Sequence, residues 1–377
     1  MPLGVYVHIP FCATRCDYCD FATWTDRAHL MDEYVDACVA DLDRQMAGEP
    51  RAATSVFFGG GTPSLLPAAG LTRILGAVRR VDGAEVTVEC NPDAVDPAQL
   101  DVFAAAGVNR LSFGVQSMAP HVLAGLGRTH DPAGVDRAVR AARDAGFRHL
   151  NLDLIYGTPG ESVDDWRRSL DGVLALAPDH VSAYALTVEP GTPLGRAVAA
   201  GERPAPDDDD QAEKYEIADD VLRGAGFEWY EISNWARAGG ECRHNLLYWA
   251  RDDYLAVGAA AHGHVDGRRA WNLRTPERYI AAVRSGATVE AGHEVLDAVA
   301  RRGESVLLGI RTRAGIPVTP ELAPAAASLA DDGLVEPGRD RVVLTRRGRL
   351  LASEVTVRLL SAGSEGRTRV AVGRLEC

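Results

Sequence analysis

The sequence predicts an α/β fold, a partial (β/α)6 barrel followed by a small winged-helix-like α+β domain. Two patterns carry that expectation. Short β-like runs at 5–9, 55–58, 85–89, 110–115, 149–155, 180–186 and 227–232 recur every few tens of residues. Amphipathic stretches rich in Ala, Leu and Arg at 31–46, 71–81, 97–106, 133–145 and 166–176 lie between them. Such alternation builds a parallel sheet with helices outside, and six or seven units are too few for a closed eight-fold barrel. An open doubly wound sheet is the competing arrangement, but the glycine fingerprint it needs after the first strand is replaced by cysteines.

Taken in chain order, several helical stretches end at a glycine before the next strand, at Gly107, Gly146 and Gly226, as a left-handed C-terminal cap requires. Pro204-Ala205-Pro206 followed by Asp207 to Asp210 reads as a loop and a helix start, with carboxylates at the positive end of the helix dipole. Arg237-Ala238-Gly239-Gly240 reads as a flexible connection, after which the βα rhythm fails. The tail offers helical runs, strand candidates at 334–335 and 342–344 around the turn-forming Pro337-Gly338, and a helix at 349–360. Three regions follow: a barrel over 1–235, a connecting segment over 236–295 and the small domain over 296–377.

At 377 residues the chain exceeds what one core usually organises, which agrees with an appended domain. Its net charge of −13 repels phosphate backbones, so nucleic acid is a poor partner and the winged-helix-like domain is expected to pack rather than bind DNA. No apolar run approaches the ~20 residues of a membrane span and no leader precedes the first strand, so a cytoplasmic location is expected.

Cys12, Cys16 and Cys19 form C-x3-C-x2-C directly after the first strand. Three thiolates on one loop can hold one metal centre, whereas a closed structural zinc site has four ligands. The spacing therefore favours an iron–sulfur cubane with one open iron. A zinc site would need a fourth ligand such as His8, Cys38 or a distant cysteine, and chance clustering of buried thiols is a third reading. Cys38, Cys90, Cys242 and Cys377 have no partner at ligand spacing and read as core or incidental thiols. After the second strand, Gly59-Gly60-Gly61-Thr62-Pro63 lets the backbone approach a ligand closely, although a tight turn alone also explains such a run.

The cysteine motif, the glycine loop and Tyr6-x-His8-Ile9-Pro10-Phe11 together resemble the radical S-adenosylmethionine (SAM) superfamily. Within it the chain is similar to the oxygen-independent coproporphyrinogen III oxidase family, through Glu89-x-Asn91-Pro92, Arg110-Leu111-Ser112-Phe113-Gly114-Val115-Gln116-Ser117, Leu126-Gly127-Arg128-Thr129-His130 and Asn151-Leu152-Asp153-Leu154-Ile155-Tyr156-Gly157-Thr158-Pro159-Gly160. The resemblance implies a [4Fe-4S] cluster on Cys12, Cys16 and Cys19. It also implies a SAM site lined by Tyr6, Gly60, Gly61, Thr62 and Glu89 and completed by Gln116, Arg128 and Asp153. In the family SAM chelates the open iron, and reduction of the cluster breaks the sulfonium bond to give methionine and a 5'-deoxyadenosyl radical.

Two branches of that family differ here. The oxidase carries a fourth cysteine two residues after the third, where this chain has Phe21, and a longer extension than the eleven residues that precede Cys12. Cys242-Arg243-His244-Asn245-Leu246-Leu247-Tyr248-Trp249 matches the H-N-x-x-Y-W motif of the haem-chaperone branch, HemW. An imidazole ligates haem iron and aromatic rings pack on the macrocycle, so His244, Tyr248 and Trp249 are candidate haem contacts. The same residues also suit a buried loop anchor, and His262 and His264 compete for the iron. The resemblance implies a HemW-like protein that binds haem and delivers it to haemoproteins, with coproporphyrinogen oxidation as the alternative and a zinc-stabilised nucleic-acid binder as a remote third. Respiratory haemoproteins, haem donors, peripheral membrane contact and a homodimer are further implications of the family.

Overall fold

Along each barrel strand apolar side chains alternate with polar or small ones, and a period of two sends the two sets to opposite faces. A computed structural model describes residues 1–338 and 340–362; Cys377 lies outside them. The strands are β1 (Leu3–Ile9), β2 (Ala53–Gly60), β3 (Arg80–Cys90), β4 (Arg110–Gln116), β5 (His149–Tyr156) and β6 (His180–Ala185), each parallel to the next. Leu3, Val5, Val7, Ile9, Val56, Phe58, Val86, Val88, Leu111, Phe113, Leu150, Leu152 and Val181 are all buried. They form one apolar face, and each contributes roughly 1.5–3 kcal/mol by leaving water. The opposite face holds Tyr6, His8, Ser55, Phe57, Glu85, Glu89, Ser112, Asn151, Asp153 and His180, which meet through hydrogen bonds and ring contacts across the concave side of the sheet.

The sheet extends beyond the expected units on both sides and does not close. β7 (Glu228–Glu231) pairs with β8 (Asn234–Ala236), and β8 runs antiparallel to β6, so the run expected at 227–232 forms a hairpin edge rather than another parallel unit. At the other edge β9 (Asp253–Val257) lies parallel to β1, and β10 (His262–Val265), β11 (Arg268–Asn272) and β12 (Glu290–Val295) follow antiparallel. The parallel rhythm thus resumes once after residue 240, contrary to expectation. β9 was hidden because its five residues, Asp-Tyr-Leu-Ala-Val, are short and follow a helix, Arg243–Ala250, whose own pattern is irregular.

The helices begin where side chains satisfy the orphan backbone donors of a first turn. Asp96, Asp131 and Thr192 each cap a helix whose first residue is proline, and Ser162 and Asp165 form a capping box. Asp207 caps Asp208–Gly224, as its acidic start implied. Gly107, Gly146 and Gly226 take φ of 95°, 89° and 84°, the left-handed backbone expected of them. The helix expected at 71–81 instead spans Ala68–Gly76, because Arg80 and Val81 already belong to β3.

The segment 237–240 is anchored rather than flexible. Arg237 donates its backbone N–H to Asp179 O at 2.9 Å and lies 4.5 Å over the Phe227 ring, while Gly240 sits where a Cβ would come 2.5 Å from Asp179 O.

The chain divides into two compact units, Met1–Leu296 and a second beginning at Asp297. The second contains helices Ala298–Gly309 and Ala323–Asp331 and a short antiparallel pair, Ile316–Pro317 with Arg341–Val342. Val335 and Leu344 meet in a single bridge. The helix expected at 349–360 is two, Arg346–Leu350 and Ala352–Ala362, broken at Leu351. Among the described residues no helix is long and apolar enough to cross a membrane.

Candidate cluster and SAM site

β1 ends at Ile9, and the cysteine loop leaves from there at the carboxyl ends of the strands, where barrel ligands belong. The loop is tied at both ends. Trp24 donates to Pro10 O at 2.8 Å and Cys12 to Trp24 O at 3.1 Å, while Asp17 donates to Leu126 O at 3.1 Å and Leu194 to Asp17 O at 2.9 Å. Cys12, Cys16 and Cys19 are all partly accessible free thiols. Burial raises the Cys12 thiol and pushes Cys19 up to about 11, with the neighbouring thiolates adding to the Cys19 shift.

Two donors reach the sulfurs: Arg128 Nη1 to Cys16 Sγ at 3.3 Å and Thr62 Oγ1 to Cys12 Sγ at 3.8 Å. Arg128 is held by Asn91 Oδ1 at 2.6 Å and Gly114 O at 2.7 Å, so its charge is fixed beside the thiols. Among the described residues no three Cys, His, Asp or Glu side chains are grouped to hold a single metal ion. The loop's three separated thiols fit the corners of a cubane, and two of these sulfurs receive hydrogen bonds of the kind that tune such clusters.

The glycine loop lies against this loop. Gly61 donates to Ile9 O and Thr62 to Phe11 O, both at 2.8 Å, and a Cβ at Gly61 would sit 2.6 Å from Phe11 O and 3.1 Å from Cys12 Sγ. Gly60 has φ of 107°, and a Cβ there would strike the His8 ring at 2.3 Å. Both positions require glycine. Gly60 N–H donates to Glu89 Oε2 at 3.1 Å. His8 takes a defined neutral tautomer, with Tyr6 OH donating to Nδ1 at 3.0 Å and Nε2–H donating to Ala22 O at 3.1 Å. Burial lowers its pKa to about 4.

Glu89 and Asp153 face the same space. Asp153 accepts from Ser112 Oγ and Asn151 Nδ2, both at 2.7 Å. Burial pushes Glu89 from 4.5 up to about 8, with Asp153 adding and the Gly60 N–H partly offsetting. A raised acid pKa means that the fold holds a proton the unfolded chain has released, so stability falls as pH rises from 4.5 through 8. In cluster-free protein that slope is expected to flatten in Glu89→Gln, measured by denaturation at several pH values; an unchanged slope would refute the burial account. Gln116, at the end of β4, has φ of 63°, a strained backbone of the kind found at binding sites.

The predicted haem residues lie elsewhere. His244 is fully buried near the amino ends of the strands, beneath Phe57, whose ring stacks on it at 5.3 Å. Its Nδ1 bonds Ser55 Oγ at 2.8 Å, its Nε2 bonds Tyr248 OH at 2.9 Å, and its backbone N–H donates to Glu85 Oε1 at 3.0 Å. Tyr248 packs edge-on against His244 and Tyr254. Both ring nitrogens of His244 are therefore engaged, and Trp249 sits half-buried on the same helix. Gly4 opens the space, since a Cβ there would meet Leu247 at 2.8 Å and the His244 ring at 3.1 Å.

The radical SAM superfamily model matches residues 6–172. A protein of Mycobacterium tuberculosis (strain ATCC 25618 / H37Rv) described as heme chaperone HemW is 48% identical over 95% of this chain and 95% of its own. The chain belongs to the HemW family of radical SAM proteins. The HemW of Bacillus subtilis (strain 168) is 36% identical over 93% of this chain and 97% of its own. Coproporphyrinogen III oxidase (HemN) of Escherichia coli superposes with a TM-score of 0.82 over 95% of this chain and 90% of its own, at 24% identity, a likeness of fold.

For a HemW family member the structure brings Tyr6, Gly60, Gly61, Thr62 and Glu89 together at the mouth, with Arg128 linking the cysteine loop to β4. Asn91 and Tyr34 are supports that sequence reasoning did not assign, and His8, offered there only as a possible zinc ligand, is a third. Tyr34 OH donates to His8 O and accepts from Ala259 N–H, both at 2.8 Å, and a tyrosine inside an amphipathic helix carries no sign of that bridge.

Proposed function

We propose that this protein is a haem chaperone that binds haem and passes it to haem-requiring proteins, with an iron–sulfur cluster on Cys12, Cys16 and Cys19 and SAM against Gly60, Gly61, Thr62 and Glu89. One observation carries the reading: a three-thiol loop beside a glycine cradle, with Phe21 where the oxidase has its fourth cysteine, in a chain 48% identical end to end to a protein named a haem chaperone. When bound, the cluster supplies an electron and an open iron for the amino-acid end of SAM. The chain's own part is to hold both. Gly60 and Gly61 leave room for the methionine moiety, Asp153 offers a carboxyl group for ribose hydroxyls, and Arg128 places positive charge beside Cys16.

The fold likeness to HemN keeps coproporphyrinogen oxidation as the second reading. Anaerobically reconstituted protein is expected to take up haem and to form no vinyl groups from coproporphyrinogen. Robust decarboxylation without haem uptake would reverse the choice. The haem-accepting partners are haemoproteins as a class, and the protein acts on them from the water phase or the membrane surface.

A further inference from the structure

We propose that His180 and Tyr230 are positioning residues for SAM: a one-way chain of buried hydrogen bonds that starts at Tyr230 makes Asp153 a fixed acceptor for the ribose hydroxyls. The inference rests on the SAM placement above and adds the groups that orient its carboxylate.

Asn151 and Asp153, two residues apart on β5, share the concave face, and the register sets Asn151 beside His180 and Asp153 beside Ser182 of β6. Tyr230 comes from the hairpin edge. The pairing of β7 with β8 shifts register between Trp229 and Glu231, so Tyr230 occupies a bulge, a feature that re-aims a side chain. Its hydroxyl meets His180 Nε2 at 2.8 Å. Ser112, Asn151, His180, Ser182 and Tyr230 are all buried, and each of their side-chain polar atoms has a partner.

The chain has a direction. Ser112 Oγ donates to Asp153 Oδ2, and Asn151 Nδ2 donates to Asp153 Oδ1 and to Ser112 Oγ, all at 2.7 Å. With its N–H groups turned that way, Asn151 presents Oδ1 to β6, where it accepts from His180 Nδ1 at 2.5 Å and Ser182 Oγ at 3.2 Å. Burial and the Arg110 charge hold the His180 pKa well below 6.5, so the imidazole is neutral. A neutral ring that donates from Nδ1 accepts at Nε2, and the Tyr230 hydroxyl is therefore the donor there. Each Asp153 oxygen takes a protein donor and keeps a second lone pair for a ribose hydroxyl. The same atoms bonded in the reverse sense would turn the Asn151 oxygen on the Asp153 carboxylate, and a network that only filled the core would have no need of one sense over the other.

The test compares the binding of SAM with that of a SAM analogue carrying a 2',3'-dideoxyribose, by equilibrium dialysis without oxygen or reductant, to the full chain with its oxidised cluster. The wild type is expected to prefer SAM by about tenfold or more, as hydrogen bonds to a charged group confer. Tyr230→Phe leaves the His180 tautomer unset and should cut that preference by about threefold or more. His180→Asn, whose amide imposes no direction on Asn151, should act alike, and circular dichroism checks that both variants fold. Loss of packing alone would weaken both ligands equally and leave the ratio unchanged. A wild-type preference retained in both variants but lost in Asp153→Asn overturns this assignment alone. No preference in the wild type, or one that survives in Asp153→Asn, overturns the SAM placement and the assignment together.

Discussion

Cys16→Ala protein reconstituted without oxygen is expected to be colourless, with iron and labile sulfide reduced to background, while the wild type is brown. Cys16 sits in the middle of the loop and receives Arg128 Nη1 at 3.3 Å. Two remaining thiolates leave two cubane corners without protein ligands, and the Thr62 hydroxyl, which lies at Cys12, and the Arg128 guanidinium are far weaker iron ligands than the lost thiolate. The loop itself should persist, because its ends are fixed by backbone bonds from Trp24, Asp17 and Leu194 that involve no thiol. Metal analysis and the visible spectrum report the loss, and circular dichroism reports the retained fold. A brown Cys16→Ala protein with full iron, or a wild type with stoichiometric zinc and no sulfide, would remove the basis of the cluster assignment.

Arg110→Ala is expected to lower stability by about 3–5 kcal/mol, the cost of leaving a buried carboxylate without its partner. Arg110 and Glu85 are 3% and 6% exposed, with Nε to Oε2 at 3.1 Å. Arg110 Nη2 also donates to Gly240 O at 2.7 Å and Glu241 O at 3.0 Å, so the pair clamps the chain leading into the His244 helix. Glu85 in turn accepts the His244 N–H. Denaturation of cluster-free protein measures the loss, and replacing both partners by leucine should recover part of it, because no charge is then stranded. A loss below about 1 kcal/mol, the range of an exposed pair, would refute the buried-clamp account.

The clamp also shows where sequence reading stops. Arg110 and Glu85 lie at the starts of two short runs whose apolar alternation reveals strands but not which polar residues meet, since that depends on register. Ser55 pairs with Glu85 and Gly4 with Ser55, and that row creates the pocket into which His244 falls. The H-N-x-x-Y-W motif was legible as a motif. Its position beneath Phe57, away from the cysteine loop, was not, because it depends on β9 joining β1 and carrying the preceding helix under the barrel.

What the sequence alone determined is local. The C-x3-C-x2-C spacing, the glycine loop and the alternation of six strands with capped helices each depend on neighbours a few residues away, and all were readable without coordinates. The open, partial barrel was legible too, but only the tertiary structure decided that a seventh parallel strand returns beside the first, that residues 237–240 are pinned, and that His244 is sealed. These outcomes rest on contacts between segments distant in the sequence, such as β9 with β1 and Arg237 with Asp179, whose pairing is chosen by the burial of whole faces and not by any one motif.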